Sequence, residues 1–310
     1  MCNNQSIQAD QIEKQGAKCV IINPYRFKII KDSWNKTDKR DTANLSIALW
    51  MAEIRNEFKL PVVYKPDKTI RELRRLFSQY QMLNVQICQY RNTIQAIFVE
   101  NGILLKAEQK TELFKPKSGM QILDSFEISE ASRGCIVMSL ELLWNLIEHK
   151  GKLKELIYKA GKSLEKEIRI LITIKGVTPL TALAFLADAG DITRFSSNRR
   201  FNAYMGVVPK VKSSGDKTQM GHINRQSRKL ARTLFTQVIL HVINSSDSMY
   251  HFYTRIKTRR GVGRSRIAVI RKTFNIMRRM LLTGEEYRWK DEKNFQIKLK
   301  AYEKILLNVA

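Results

Sequence analysis

Acidic residues are what this sequence lacks most. Its 310 residues carry 29 Asp and Glu against 55 Lys and Arg, a formal charge of +26. That deficit disfavours basic or cationic partners and points to a polyanion, nucleic acid first. A ribosomal surface or an anionic lipid would satisfy charge alone. Cysteine is scarce as well. Cys2, Cys19, Cys88 and Cys135 are scattered, with no CxxC and no His at ligand spacing. Free thiols in a reducing compartment are expected rather than a zinc site. No apolar run approaches the roughly 18–20 residues of a membrane helix. The opening MCNNQSIQADQ lacks the layout of a signal peptide. A cytoplasmic protein with no membrane partner is expected.

Strand signals are sparse too. Gln8 to Gln15 reads as the tail of a helix ended by Gly16. Ala17 to Ile22 is a short β-rich run closed by Asn23-Pro24, expected to be one buried strand of a parallel sheet. Pro61 to Tyr64 is a possible second strand. Between them lies KTDKRDTA, in which Asp38 and Asp41 are three apart. On the first turn of a helix both carboxylates would share a face, where the dipole favours them. Such a pair suits a hard divalent cation. An N-cap beside a solvated charge is the commoner use.

Helical patterning dominates the rest. Apolar residues at spacings of three and four run from Asp67 to Leu105, and a second run covers Glu130 to Lys166. They predict an antiparallel hairpin of helices, each roughly 50 Å long at 1.5 Å per residue. Next, Gly176 breaks a helix, Thr178 can cap another, and Pro179 fits its first position. Leu180 to Ala189 is apolar and Ala-rich, so that helix is expected to be buried. Backbone N–H groups at this corner could accept a phosphate, and a plain αα-corner is an equal reading.

Beyond Gly190 the charge changes. Ile192 to Met280 holds twenty Lys and Arg but only Asp216 and Asp247 as acids. A solvated helix face mixes signs, so contact with phosphates is the better reading. Phe201, Tyr204, Tyr250, Phe252 and Tyr253 lie among the bases; core packing is their default, base stacking the alternative. A polar loop, KVKSSGDKTQM, follows Val208-Pro209. Its Ser213-Ser214-Gly215 is either an ordinary turn or a nucleophilic serine beside a glycine that admits a phosphate. No GxSxG elbow or Ser-His-Asp order is present.

In this order VIINPYR, KTDKRDTA, the long helical pair, the stretch IKGVTPLTALAFLADAGDITRFSSNRRFNAYMGVVPKVKSSGDKTQMGHINRQSRKLARTL and FYTRIKTRRGVGRSRIAVIRKTFNIM resemble one family. It is the insertion-sequence family one hundred and ten, with its eleven-eleven subgroup. Its transposases pair a DEDD ribonuclease-H-like domain with a serine-bearing domain. The resemblance implies a mostly α protein with a partial α/β part. It implies an incomplete RuvC-like domain over 1–65, an antiparallel coiled-coil arm over 66–166, a helical serine transposase domain with a helix-hairpin-helix element over 167–290, and a helical tail over 291–310.

It also implies roles. Asp38 and Asp41 would be the last two of four carboxylates holding Mg²⁺. Ser214, or failing it Ser213, would attack DNA and join to it covalently. Gly176, Val177 and Thr178 would clamp the backbone at the corner. Lys212, Lys217, Arg225, Arg228, Lys229, Arg232, Arg264 and Arg266 would bind nucleic acid. A structured guide RNA and a homo-oligomer, dimer or tetramer, are the implied partners besides DNA. The family's first acidic strand and its Glu have no counterpart ahead of Asp38, so an N-terminally truncated copy with impaired strand exchange is expected. A non-catalytic nucleic-acid-binding remnant and a metal-dependent junction nuclease are the alternatives.

Overall fold

The computed structural model describes residues 4–23, 26–27, 37–55, 59–214, 217–223 and 227–309. The chain divides into two compact units, 1–67 and 68–310.

In the first unit, α1 (Asn4–Lys14) ends before Gly16, whose φ of +85° only glycine adopts freely. The parallel-sheet strand expected at Ala17 to Ile22 is not there. Ile22 makes a single antiparallel bridge to Val62, with the Val63 N–H donating to Ile21 O at 2.7 Å and the Asn23 N–H to Pro61 O at 2.9 Å. A strand needs several neighbours with a packed face. Among the described residues only this one short segment pairs with it. Helix α2 (Asp38–Glu53) starts at Thr37, whose hydroxyl accepts from the Arg40 N–H at 3.4 Å.

The second unit is built on two long helices, α3 (Lys68–Glu100) and α6 (Glu130–Ala160), of 33 and 31 residues. Two short helices, α4 (Ala107–Leu113) and α5 (Gly119–Asp124), lie between them. The start of α3 packs with the end of α6: Ile70, Leu73, Phe77 and Tyr80 share a core with Ile157 and Tyr158. The end of α3 packs with the start of α6, through Ile94, Phe98, Ile136 and Leu140. The pair is therefore antiparallel. Its far end has its own core, closed by Leu113 and Leu123 of the short helices. Its near end is sunk in the main core of the unit.

That main core collects α7 (Glu165–Leu171), α8 (Pro179–Ala189), α9 (Asn198–Tyr204), α10 (Leu230–Ile243), α11 (Asp247–Thr283) and α12 (Glu292–Val309). Helix α8 is the central element. Thr178 and Thr181 form a reciprocal capping box at its start, Pro179 takes its first position, and Gly190 ends it at φ +61°. Every residue of α8 except Leu180 is buried. Phe185 packs edge-on against Phe201 and Phe274, at centroid distances of 6.0 and 5.2 Å. Helix α12 belongs to the same core, with Phe295 and Tyr302 buried.

The polar loop expected after Pro209 is instead a hairpin. Strand β1 (Pro209–Ser214) pairs antiparallel with β2 (Lys217–Ile223). Val211, Thr218 and Ile223 are good strand formers, and two residues join the strands, the commonest hairpin length. No helix among the described residues is long and apolar enough to cross a membrane.

Candidate functional site

The hairpin places the two serines. Ser214 pairs with Lys217 and Ser213 with Thr218, so both sit at the end of β1 beside the connection. Lys212 pairs with Gln219 one step further back. Gly215, Asp216 and Arg225 lie outside the described residues.

Both roots of the hairpin are tied to the core. On the incoming side Gly206 has φ +68°, and a Cβ there would lie 2.2 Å from Ser227 Oγ and 2.7 Å from Arg228 O. Only glycine permits that approach. The Arg228 N–H donates to Tyr204 O at 3.0 Å, and the Arg232 guanidinium donates to Gly206 O. On the outgoing side helix α10 begins without a capping side chain of its own, since Lys229 occupies that position. Asp188 of α8, 2% exposed, supplies the cap: its Oδ2 accepts from the Ala231 N–H at 2.8 Å. The Leu230 N–H also bonds to this carboxylate.

Around this carboxylate gathers a buried polar cluster. Arg74 of α3 donates from Nε to Ala187 O at 2.7 Å, and from its other end to Asp188 O at 3.1 Å and the Tyr204 hydroxyl at 3.3 Å. Arg194 stacks on Phe195 and Tyr204, at 4.0 and 4.2 Å from the ring centroids. Burial pushes the Asp188 carboxyl above its usual value; the Ala231 N–H, Arg228 and Arg74 oppose it without prevailing. Burial also acts to raise the Tyr204 phenol, but Arg74, Arg228 and Arg194 outweigh it and hold the phenol below its ordinary value. The cluster was not legible as a site in the sequence. Its one signal was an acid, Asp188, inside an otherwise apolar helix.

The corner before α8 is closely packed. Gly176 has φ +86°, and a Cβ there would lie 2.8 Å from the His241 Cβ. Val177 is fully buried, and its N–H donates to Ile174 O at 3.1 Å. The Thr178 N–H donates to Thr181 Oγ1 at 2.8 Å. These two N–H groups, expected to meet a phosphate, are thus engaged within the corner. Its carbonyls are held by Lys298 of α12, whose ammonium donates to Ile172 O, to Ile174 O at 2.8 Å and to Val177 O at 3.2 Å. Burial lowers the Lys298 pKa to about 8.

The basic surface lies mainly on α11. Gly261, at φ +79° and ψ 170°, breaks the helix into two limbs. Arg255, Lys257, Arg259 and Arg260 are exposed on the first limb, and Arg264 just past the break. Arg266 is half-buried. Lys229 is exposed, and Arg228 and Arg232 are half-buried. Phe252 is flanked by Lys272, at 4.5 Å, and Arg255, at 5.9 Å. Phe201 is core. Tyr250 alone of the five aromatic residues is more than half exposed, at 51%.

In the first unit Asp38 and Asp41 both lie in the first turn of α2, Asp38 exposed. Asp41 Oδ1 is buried and accepts no hydrogen bond from the described residues. Among the described residues no group of three or more His, Cys, Asp or Glu converges as a metal site. Two carboxylates would supply part of an Mg²⁺ shell, the rest of which waters or phosphate oxygens would have to complete.

Comparison with known proteins places this geometry. Residues 168–254, from α7 through both roots of the hairpin to the first limb of α11, match the transposase family IS116/IS110/IS902. The transposase for insertion sequence element IS1111A of Coxiella burnetii is 32% identical over 150 residues, 47% of this chain and 41% of that protein. A probable family 20 transposase of Pseudomonas aeruginosa is 22% identical over 297 residues, 93% of this chain and 84% of that protein. The transposase for IS1328 of Yersinia enterocolitica is 31% identical over 104 residues, 31% of its length. The match thus spans less than half of the Coxiella and Yersinia proteins. Over residues 168–254 this chain is thus similar to the IS116/IS110/IS902 transposase family.

Proposed function

We propose that this chain is an insertion-sequence transposase that cuts and rejoins DNA through a phosphoserine intermediate. One observation carries the reading: the stretch that matches the family contains the hairpin bearing Ser213 and Ser214 and runs on into the cation-rich α11. The cations of α11, with Lys212, Lys217, Lys229 and Arg264, hold the sugar-phosphate backbone by charge, without reading sequence. The Ser214 hydroxyl attacks phosphorus. A phosphorus–serine bond forms, the bond to the sugar oxygen breaks, and that oxygen leaves with a proton. An incoming sugar hydroxyl then reverses the exchange, so the strand is resealed with no other energy source. Ser213 is the substitute nucleophile.

Guidance by a structured RNA and assembly into a homo-oligomer belong to the same reading, through the resemblance of the chain to its family. Mg²⁺ at Asp38 and Asp41 is part of it only if further oxygen ligands join them, and no step above is routed through the metal.

The test is a denaturing gel of the protein incubated with insertion-sequence DNA. A denaturant-resistant protein–DNA adduct is expected from the wild type. Ser214→Ala should abolish it and leave binding nearly unchanged. An adduct that persists in the double variant Ser213→Ala/Ser214→Ala refutes serine chemistry. Cut ends without attached protein would support a metal-dependent nuclease, and binding without cutting a non-catalytic remnant.

A further inference from the structure

A groove at the junction of α10 and α11 is used by none of the chemistry above. It measures about 530 Å³ and is lined by Asn244, Ser245, Asp247, Ser248, Tyr250 and Trp289. That volume falls within the range of small-molecule sites, about 300–1,000 Å³. Two aromatic residues line it, each about half exposed, Tyr250 at 51% and Trp289 at 48%, with the Arg288 guanidinium 5.4 Å from the Trp289 ring centroid.

Trp289 is held there rather than left loose. Its neighbour Tyr287 is 5% exposed, and the Tyr287 N–H donates at 3.1 Å to the hydroxyl of the buried Thr173. The Tyr287 ring meets Trp289 edge-on at 5.7 Å. Lys290, on the other side, pairs with Glu286 and Glu292, both at 3.0 Å. A large ring fixed in contact with solvent forgoes the stabilisation that burial would give it. A ligand with a flat π-face recovers that area.

The polar lining fixes which flat ligand. Asp247 is one of only two acids between Ile192 and Met280, and it lies in the groove. Its carboxylate repels a phosphate but accepts hydrogen bonds from an exocyclic amino group. Asn244 and Ser248 add both donors and acceptors. Ser245 Oγ is buried and has no hydrogen-bond partner among the described residues. Aromatic faces beside a carboxylate, an amide and hydroxyls match an unstacked nucleobase.

We propose that this groove binds one unpaired nucleobase of a single-stranded nucleic acid, stacked on Tyr250 or Trp289 with its polar edge toward Asp247. The inference rests on the nucleic-acid reading above and adds a subsite to it.

The test compares the wild type, the double variant Tyr250→Ala/Trp289→Ala and the conservative variant Tyr250→Phe/Trp289→Phe. The probes are a deoxycytidine strand, the matching cytidine RNA strand, an abasic deoxyribose strand of equal length, and duplex DNA. The alanine variant should bind the deoxycytidine or the cytidine strand about 10-fold or more weakly. Whichever strand loses more identifies the source of the base. The phenylalanine variant should restore most of the affinity, and abasic strand and duplex should bind all three proteins alike. An unchanged affinity for both single strands overturns the proposal. So does an equal loss on the abasic strand, because the contact would then be with the backbone. If the wild type binds no nucleic acid at all, the function proposed above falls. If duplex binding survives and the single strands show no difference, only the base site falls.

Discussion

Asp188 is the residue whose replacement tests the site's architecture most directly. Its carboxylate caps the first turn of α10 by accepting from the Ala231 N–H, 2.8 Å away, and from the Leu230 N–H. Both donors are buried, Leu230 at 8% and Ala231 at 0% exposure. Asp188→Ala leaves both without a partner. A buried orphan donor costs roughly 1–3 kcal/mol, so the pair should cost about 2–6 kcal/mol. In a unit of this size 1 kcal/mol moves Tm by about 2–4 °C. A loss of 4 kcal/mol, the middle of that range, is thus a fall of about 8–16 °C.

Asp188→Asn separates cap from charge. Its amide oxygen can still accept from the helix start, while the cost of burying a charge is removed. Burial already favours the uncharged form of this side chain, so this variant should stay within about 1 kcal/mol of the wild type. The acid limb adds a sign. The carboxyl lies above 3.8 in the folded chain because of burial, so the folded state holds its proton more tightly than the unfolded chain does. Its contribution is therefore fully present below 3.8 and is lost as pH rises through the folded value. Wild type should gain on Asp188→Asn as pH falls through that window. Thermal unfolding followed by circular dichroism reads each comparison. An Asp188→Ala variant within 1 kcal/mol of wild type, or an Asp188→Asn variant equally damaged, would refute the capping account.

Two further predictions concern positions that hold the site in place. Gly206 and Gly261 both have positive φ, but a Cβ at Gly206 meets Ser227 and Arg228 while one at Gly261 meets nothing within 4 Å. Alanine at Gly261 should therefore cost only the backbone strain, about 1–2 kcal/mol. Alanine at Gly206 should cost distinctly more and lower adduct yield, since it displaces the hairpin root; urea titration of both variants checks the order. Lys298, lowered to about 8 by burial, loses its proton in the folded state before the unfolded chain does. Its contribution to stability should rise as pH increases from about 8 toward 10.5. Lys298→Met should lack that rise, which paired melts at pH 7 and pH 10 would detect as a changing difference between the two proteins.

The resemblance and the charge pattern were legible because both are local. The capping box at Thr178 and Thr181, the proline at the first position of α8 and the glycine after it are spelled out within one short stretch. The antiparallel pair α3 and α6 followed from apolar spacing alone. Reading failed where pairing or packing decided. The run Ala17 to Ile22 has strand composition but a single short partner, so it stops at one bridge. The stretch after Pro209 looked like a loop because its residues are polar, yet alternation and a two-residue connection suffice for a hairpin. At the corner Gly176 to Thr178 a phosphate site and a plain αα-corner were equal readings of the sequence. Packing against α10 and the ammonium of Lys298, more than 100 residues away in sequence, turned much of it inward.

By itself the sequence determined a helical, strongly cationic chain with a serine–glycine connection ahead of a basic helix. Periodicity, charge and caps each act over a few residues and need no knowledge of the fold. Only the tertiary structure decided what holds that connection. Asp188, Arg74, Tyr204 with Gly206, and Arg232 come from four separate stretches, and their hydrogen bonds exist only once α3, α8, α9 and α10 have packed. A buried carboxylate must find donors wherever the fold brings them, and no spacing along the chain records which those will be.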